Sequence, residues 1–282
     1  MSKLDSISEF AGNMAKTLAS LAKIMILSRK SSVKRIAKPD DEIVVLGNGP
    51  SLNQTIEESS GFLKSRKKVA VNFAANTPVF FSLKPEFYVL ADPHFFSTGN
   101  DNVDHLWENI GKADWKITLF IPTKIKSERI DALSTGNKQI RIMRYNTTPI
   151  EGFRWFCHFT YRHGFGMPRP RNVLIPSIML AINSGFRKIY IAGADHSWTR
   201  TLSVDDQNRV VSIQPHFYKD NEKETTRVNT EYMRYPLYKI IYSFYVAFRS
   251  YFMIRDYAEY SHSEIWNITP GSFIDAFPRK KV

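Results

Sequence analysis

An α/β architecture with a largely parallel sheet is the fold class predicted for this chain, and three observations predict it. Short apolar runs recur along the sequence, most of them ending in glycine or a polar residue. Helix-like stretches lie between them. The first run, Ile43-Val44-Val45-Leu46, passes at once into Gly47-Asn48-Gly49-Pro50-Ser51-Leu52, the order of strand, tight turn and helix start. Strands that alternate with helices are joined by right-handed crossovers, which predicts a Rossmann-like domain with helices flanking the sheet.

The elements follow in order. Residues 6–27 read as a helix, because Ile7, Phe10, Met14, Leu18, Leu21, Ile24 and Met25 recur at spacings of three and four. It runs into a basic cluster of Arg29, Lys30, Lys34, Arg35 and Lys38. Such a segment either lies on an anionic bilayer or packs on the domain or in an oligomer contact. After the strand at 43–46, residues 69–72, 87–90, 117–121 and 140–143 read as further strands. Residues 176–184 read as a helix closed by Gly185. The strand at 189–192 then leads into Gly193-Ala194-Asp195-His196. Residues 198–229 are polar and charged without a stable period, which predicts a lid or long functional loop. A helix dense in Tyr and Phe follows over 235–255, and a last short strand over 265–269. That helix either packs on the sheet or sits at a membrane interface.

The 282 residues are 43% hydrophobic, enough for one large core. The single cysteine, Cys157, excludes an internal disulfide and reads as a buried structural residue. The net charge of +12 fits an anionic membrane surface or a phosphorylated substrate. No helix-turn-helix, zinc-finger or RNA-recognition signature appears, so no nucleic-acid partner is expected. No run approaches the roughly 20 apolar residues of a membrane span, and no secretory signal is evident. A cytoplasmic chain, either free or peripheral on the inner face of the cytoplasmic membrane, is the expectation.

The turn at Gly47, Asn48 and Gly49 is the sharpest local signal. Glycines let a backbone approach a ligand closely, and the helix that follows points free N–H groups at an anion. Ser51 can cap that helix or bond a phosphate oxygen. The turn lacks the Lys-Ser/Thr ending of a P-loop and departs from the dinucleotide fingerprint. Asn72, Asp92 and Asp195 each follow an apolar strand, so all three fall on the sheet's ligand-binding edge. Asn72 suits phosphate or ribose, and Asp92 suits ribose hydroxyls or a base. Each can instead cap a following helix. The expected organisation is a helix and basic linker over 1–40, a nucleotide-binding domain over 41–197, a lid over 198–230, and a completing helix and strand over 231–282.

The block 43–52, Asn72, Asp92-Pro93, the block from Gly185 to Asp195 and the tail from Asn267 to Phe277 resemble the bacterial lipooligosaccharide sialyltransferases of glycosyltransferase family 42. The same blocks resemble the wider superfamily of MptE-like pterin pyrophosphokinases and flagellin-modifying Maf transferases. The resemblance implies a GT-A-like variant of the fold and a metal-independent transferase that needs no cofactor. It implies a CMP-linked sugar donor and a glycan or lipid-linked acceptor of the bacterial surface. Gly193 lies in the nucleotide-binding block that the resemblance marks. Asn172 would lie near the donor sugar. Asp92 stands where that family has an Asn, and Ser197 where it has a tyrosine for the leaving phosphate, with Tyr218 as substitute. The family's base lies in the lid, where this chain has His216. His196, beside Asp195 as its orienting carboxylate, is the competing base, since imidazole suits proton transfer near neutral pH. The alternatives are an ATP-using pyrophosphokinase and a non-catalytic nucleotide-binding module at a membrane.

Overall fold

The computed structural model describes residues 3–212, 230 and 232–282. Its strands are β1 (Glu42–Leu46), β2 (Lys67–Val71), β3 (Phe87–Val89), β4 (Ile117–Pro122), β5 (Ile140–Tyr145), β6 (Lys188–Ala192), β7 (Ser203–Val204), β8 (Val210–Val211) and β9 (Glu264–Asn267). The helices are α1 (Lys3–Leu27), α2 (Ser51–Glu58), α3 (Ser60–Lys64), α4 (Pro78–Leu83), α5 (Asp101–Gly111), α6 (Glu128–Gly136), α7 (Arg154–Arg162), α8 (Leu174–Asn183) and α9 (Leu237–Tyr260).

Seven strands form one sheet in the order β5-β4-β3-β2-β1-β6-β9, and every pairing in it is parallel. A parallel sheet is stable only when both faces are covered, and the strand sequences say so: β1 and β2 are buried at four of five positions. The pleat sends alternate residues to opposite faces. Ile43 and Val45 join a core with α7, α8 and α9, whereas Val44 and Leu46 join one with α2 and α3. Farther along the second face, Leu119 and Ile121 pack with Val103, Leu106 and Ile110 of α5.

The expected α/β class holds, with details that differ from the sequence reading. Helix α8 begins at Leu174 rather than at Pro176, because Asn172 Oδ1 accepts from the Leu174 and Ile175 amides at 3.0 and 3.4 Å. Pro176 then falls in the first turn, where its missing N–H costs nothing. Gly185 does end this helix in a left-handed conformation, with φ +94°. Helix α9 runs to Tyr260, past the expected end at 255. Within the expected lid, residues 198–200 form a turn of 3₁₀ helix and β7 pairs antiparallel with β8. Residues 213–229 lie outside the described part of the chain. Cys157 is buried, and burial pushes its thiol up to about 11, which suits an inert structural residue.

The sheet order positions the site. From β1 the chain steps outward through β2 to β5, then returns to lay β6 on the other side of β1. The strand order therefore reverses between β1 and β6, the place where open α/β sheets take ligands beyond their carboxyl ends.

Candidate functional site at the sheet's switch point

The carboxyl ends of β1 and β6 are laced together. Gly47 N donates to Ala192 O and Gly49 N to Gly193 O, both at 2.8 Å. A Cβ on Gly47 would collide with the Gly193 carbonyl, and one on Gly49 would collide with the Asp195 carboxylate and lie 2.7 Å from Gly193 O. Gly193 itself has φ +64°, and a Cβ there would lie 2.7 Å from Gly47 O. The glycines were expected to make room for a phosphate. Here the room beside Gly49 holds the Asp195 carboxylate. The spacing of this turn is thus explained first by strand-end packing.

Asp195 is half-buried and accepts from Ser51 Oγ at 2.8 Å. Ser51 therefore does not cap α2: the N-cap is Pro50, which offers no side-chain bond. The carboxylate sits at the N-terminal end of α2, where the helix dipole favours negative charge. The chain beyond β9 holds the Asp195 backbone in place. Ala194 N donates to Thr269 Oγ1 at 3.1 Å, Ser272 Oγ to Ala194 O at 2.6 Å, and Phe273 N to Asp195 O at 2.8 Å.

His196 does not pair with Asp195 as expected. It is buried in a left-handed conformation, φ +52°, and its Nε2 lies 2.7 Å from the Tyr251 hydroxyl. Tyr251, on α9, donates onward to Asn172 Oδ1 at 3.0 Å. The two backbone amides at the start of α8 fix which Asn172 atom is the oxygen, so Tyr251 must donate to it. His196 then donates Nε2–H to Tyr251 and keeps its lone pair on Nδ1. Burial lowers the imidazole to about 3, so it is neutral at physiological pH and a weak base.

One atom of each of two side-chain amides at this edge is buried without a partner among the described residues: Asn48 Oδ1 and Asn172 Nδ2. The other Asn48 atom, Nδ2, makes only a long 3.5 Å contact with Val71 O. Asn72 is half-buried with φ +51°, a conformation Asn tolerates, and its carbonyl accepts from Tyr88 OH at 2.6 Å. Asp92 is exposed and caps the short 3₁₀ helix Pro93–Phe96 by accepting from His94 N at 2.9 Å. The capping alternative thus holds for Asp92. His216 and Tyr218 lie outside the described residues.

The structure therefore brings Gly47, Asn48, Gly49, Ser51, Gly193 and Asp195 together. It links Asn172 to His196 through Tyr251, and leaves Asp92 in a cap. Sequence reasoning missed Tyr251, Thr269 and Ser272. Tyr251 lies on the periodic inward face of α9, with Ala247, Ile254 and Ala258. Its helical spacing marks it as inward-facing, but not as a neighbour of His196.

The family model for 6-hydroxymethylpterin diphosphokinase MptE-like proteins matches residues 13–201, which spans β1 through β6 and stops short of Tyr251, Thr269 and Ser272. The chain belongs to the MptE-like family. No curated protein matches it. Among solved structures, the MAf glycosyltransferase from Magnetospirillum magneticum AMB-1 is similar in fold, with a TM-score of 0.51 at 14% identity. That similarity covers 96% of this chain and 38% of the glycosyltransferase, so the chain spans well under half of that protein's length. At this identity the likeness concerns the fold.

Proposed function

We propose that this MptE-like chain is a transferase that binds a nucleotide-activated sugar at the β1–β6 switch point and passes the sugar to a glycan or lipid-linked acceptor. The observation that carries the reading is a pair of buried amide atoms at the ligand-binding edge of the sheet, Asn48 Oδ1 and Asn172 Nδ2, that have no partner among the described residues. An orphaned buried polar group costs roughly 1–3 kcal/mol, and a ligand offering one donor and one acceptor removes that cost. Asp195 suits ribose hydroxyls better than phosphate, because it is itself an anion. The fold shared with a MAf glycosyltransferase supports sugar transfer, and a CMP-linked, sialic-acid-like donor is the finer form of the proposal. The acceptor proton needs a base. His196 is poorly suited to that role, since its Nε2 is engaged and its basicity is suppressed by burial. We assign the base to His216.

The family's description favours a second reading, diphosphoryl transfer to a pterin alcohol. Mass spectrometry of product mixtures separates the two. Release of CMP and free or transferred sugar supports sugar transfer, whereas AMP with a diphosphorylated pterin supports the second reading. Asn48→Ala should leave the fold intact, because the side chain makes only one long bond. It should weaken nucleotide binding by about tenfold, the worth of one hydrogen bond in a dry site. Calorimetry showing unchanged affinity would remove Asn48 from the site.

A further inference from the structure

Helix α1 docks with its polar side inward. Thr17 Oγ1 accepts from Phe153 N at 3.0 Å, and Ser20 Oγ both donates to Glu151 O at 2.8 Å and accepts from Glu151 N at 3.0 Å. Gly152 makes the approach possible: its φ is +137°, and a Cβ there would lie 2.8 Å from the Thr17 Cα. Thr17 and Ser20 are buried. Of the row that sequence analysis singled out, Ile24 packs against the core and the Phe10 ring tilts onto Phe153, but the other members face outward. Ile7, Phe10, Met14, Leu18, Leu21 and Met25 are 43–77% exposed. An amphipathic helix normally buries that row against its own domain. Trp155 and Phe159 of α7, the helix that directly follows the α1 docking strip, are likewise 69% and 51% exposed.

Charge identifies what covers this face. Between residues 10 and 39 the chain carries seven cations (Lys16, Lys23, Arg29, Lys30, Lys34, Arg35 and Lys38) and no Asp or Glu. Pairing α1 with α1 of a second copy would bring two such segments together, and Asp5 and Glu9 of each helix would offset only part of their positive charge. An anionic bilayer surface takes both features at once, with apolar side chains in the interface and cations among the headgroups. No helix among the described residues is long and apolar enough to cross a membrane, so α1 would lie in the interface plane. We propose that the exposed row of α1, extended by Trp155 and Phe159, docks this protein on an anionic phospholipid bilayer. The docking is independent of the nucleotide reading.

The test is sedimentation of the full chain, without nucleotide, with vesicles of phosphatidylglycerol and phosphatidylcholine or of phosphatidylcholine alone. The chain should pellet with the anionic vesicles and be released by salt. Each neutralised cation, as in Lys16→Ser or Lys23→Ser, should lower partitioning by about fivefold. Met14→Glu with Leu18→Glu should lower it by more than about tenfold. Those two side chains are 47% and 60% exposed, so the variant should keep its circular dichroism and Tm. Equal pelleting of parent and double variant overturns the proposal. So does a lipid-free dimer, seen by sedimentation velocity, that the double variant converts to monomer while vesicle binding stays unchanged. That result would make the occupant a second copy.

Discussion

At the scale of single residues, the chain from His196 through Tyr251 to Asn172 invites the most definite prediction. Its imidazole has a folded-state pKa of about 3 against an ordinary 6.5. The unfolded chain therefore binds a proton that the folded chain refuses, over the window between those values. This contribution to stability is fully present above pH 6.5 and is lost as pH falls toward 3. Within the window the loss approaches about 1.4 kcal/mol per pH unit. Urea unfolding between pH 6 and pH 4 should show this slope, and His196→Gln should reduce it. An equal slope in the variant would mean that other groups carry the acid sensitivity. Tyr251→Phe removes the hydroxyl that His196 and Asn172 share. It should cost about 1–3 kcal/mol, because a buried imidazole N–H loses its acceptor. None of this was legible in the sequence. His196 and Tyr251 are 55 positions apart, and the adjacency of His196 to Asp195 pointed to a pairing that the left-handed backbone at His196 does not make.

At the scale of elements, the strand-turn-helix unit from β1 to α2 was fully legible, because four apolar residues followed by Gly-x-Gly leave few other conformations. What the turn accommodates was not legible, since a glycine makes room equally for a ligand or for another backbone. Gly47→Ala tests whether this turn is filled by strand-end packing. The added methyl meets the Gly193 carbonyl, which is backbone and cannot swing away. Destabilisation of about 3 kcal/mol, at the upper end for overpacking, is expected in urea unfolding. A nearly neutral Gly47→Ala would mean that the ends of β1 and β6 separate readily. The outer strands were legible as well, from their apolar runs. Helix α7 was not foreseen. Its buried face is made partly of His158, Thr160 and Tyr161, and the hydrogen bond from His158 to Asp256 on α9 joins residues 98 positions apart. Helix α1 was legible in extent but not in orientation. A three-and-four repeat reports an apolar stripe, whereas the side that docks is chosen by Thr17, Ser20 and the gap at Gly152.

At the scale of the whole molecule, one long helix touches both the proposed ligand site and the proposed docking face. Tyr251 of α9 reaches Asn172, while Arg249 pairs with Glu151 at 2.6 Å beside the α1 docking strip. The same core therefore supports the proposed ligand site and the outward face, and ligand binding should register in global unfolding. A ligand that binds only the folded chain, at one hundred times its Kd, stabilises it by about 2.7 kcal/mol. For a domain of 150–250 residues each kcal/mol raises Tm by roughly 2–4 °C, so a shift of about 5–10 °C is expected here. CMP and a CMP-linked sugar should produce it if the proposed donor is right, with ATP and magnesium leaving Tm within about 1 °C. The converse pattern would favour diphosphoryl transfer. Asn48→Ala should shrink the shift for whichever nucleotide gives it, because tenfold weaker binding at the same concentration removes about 1.4 kcal/mol of the linkage. A full shift in that variant would place the nucleotide away from the β1 turn. No shift with any nucleotide would remove the ligand site's assignment, while leaving membrane docking by α1 untouched.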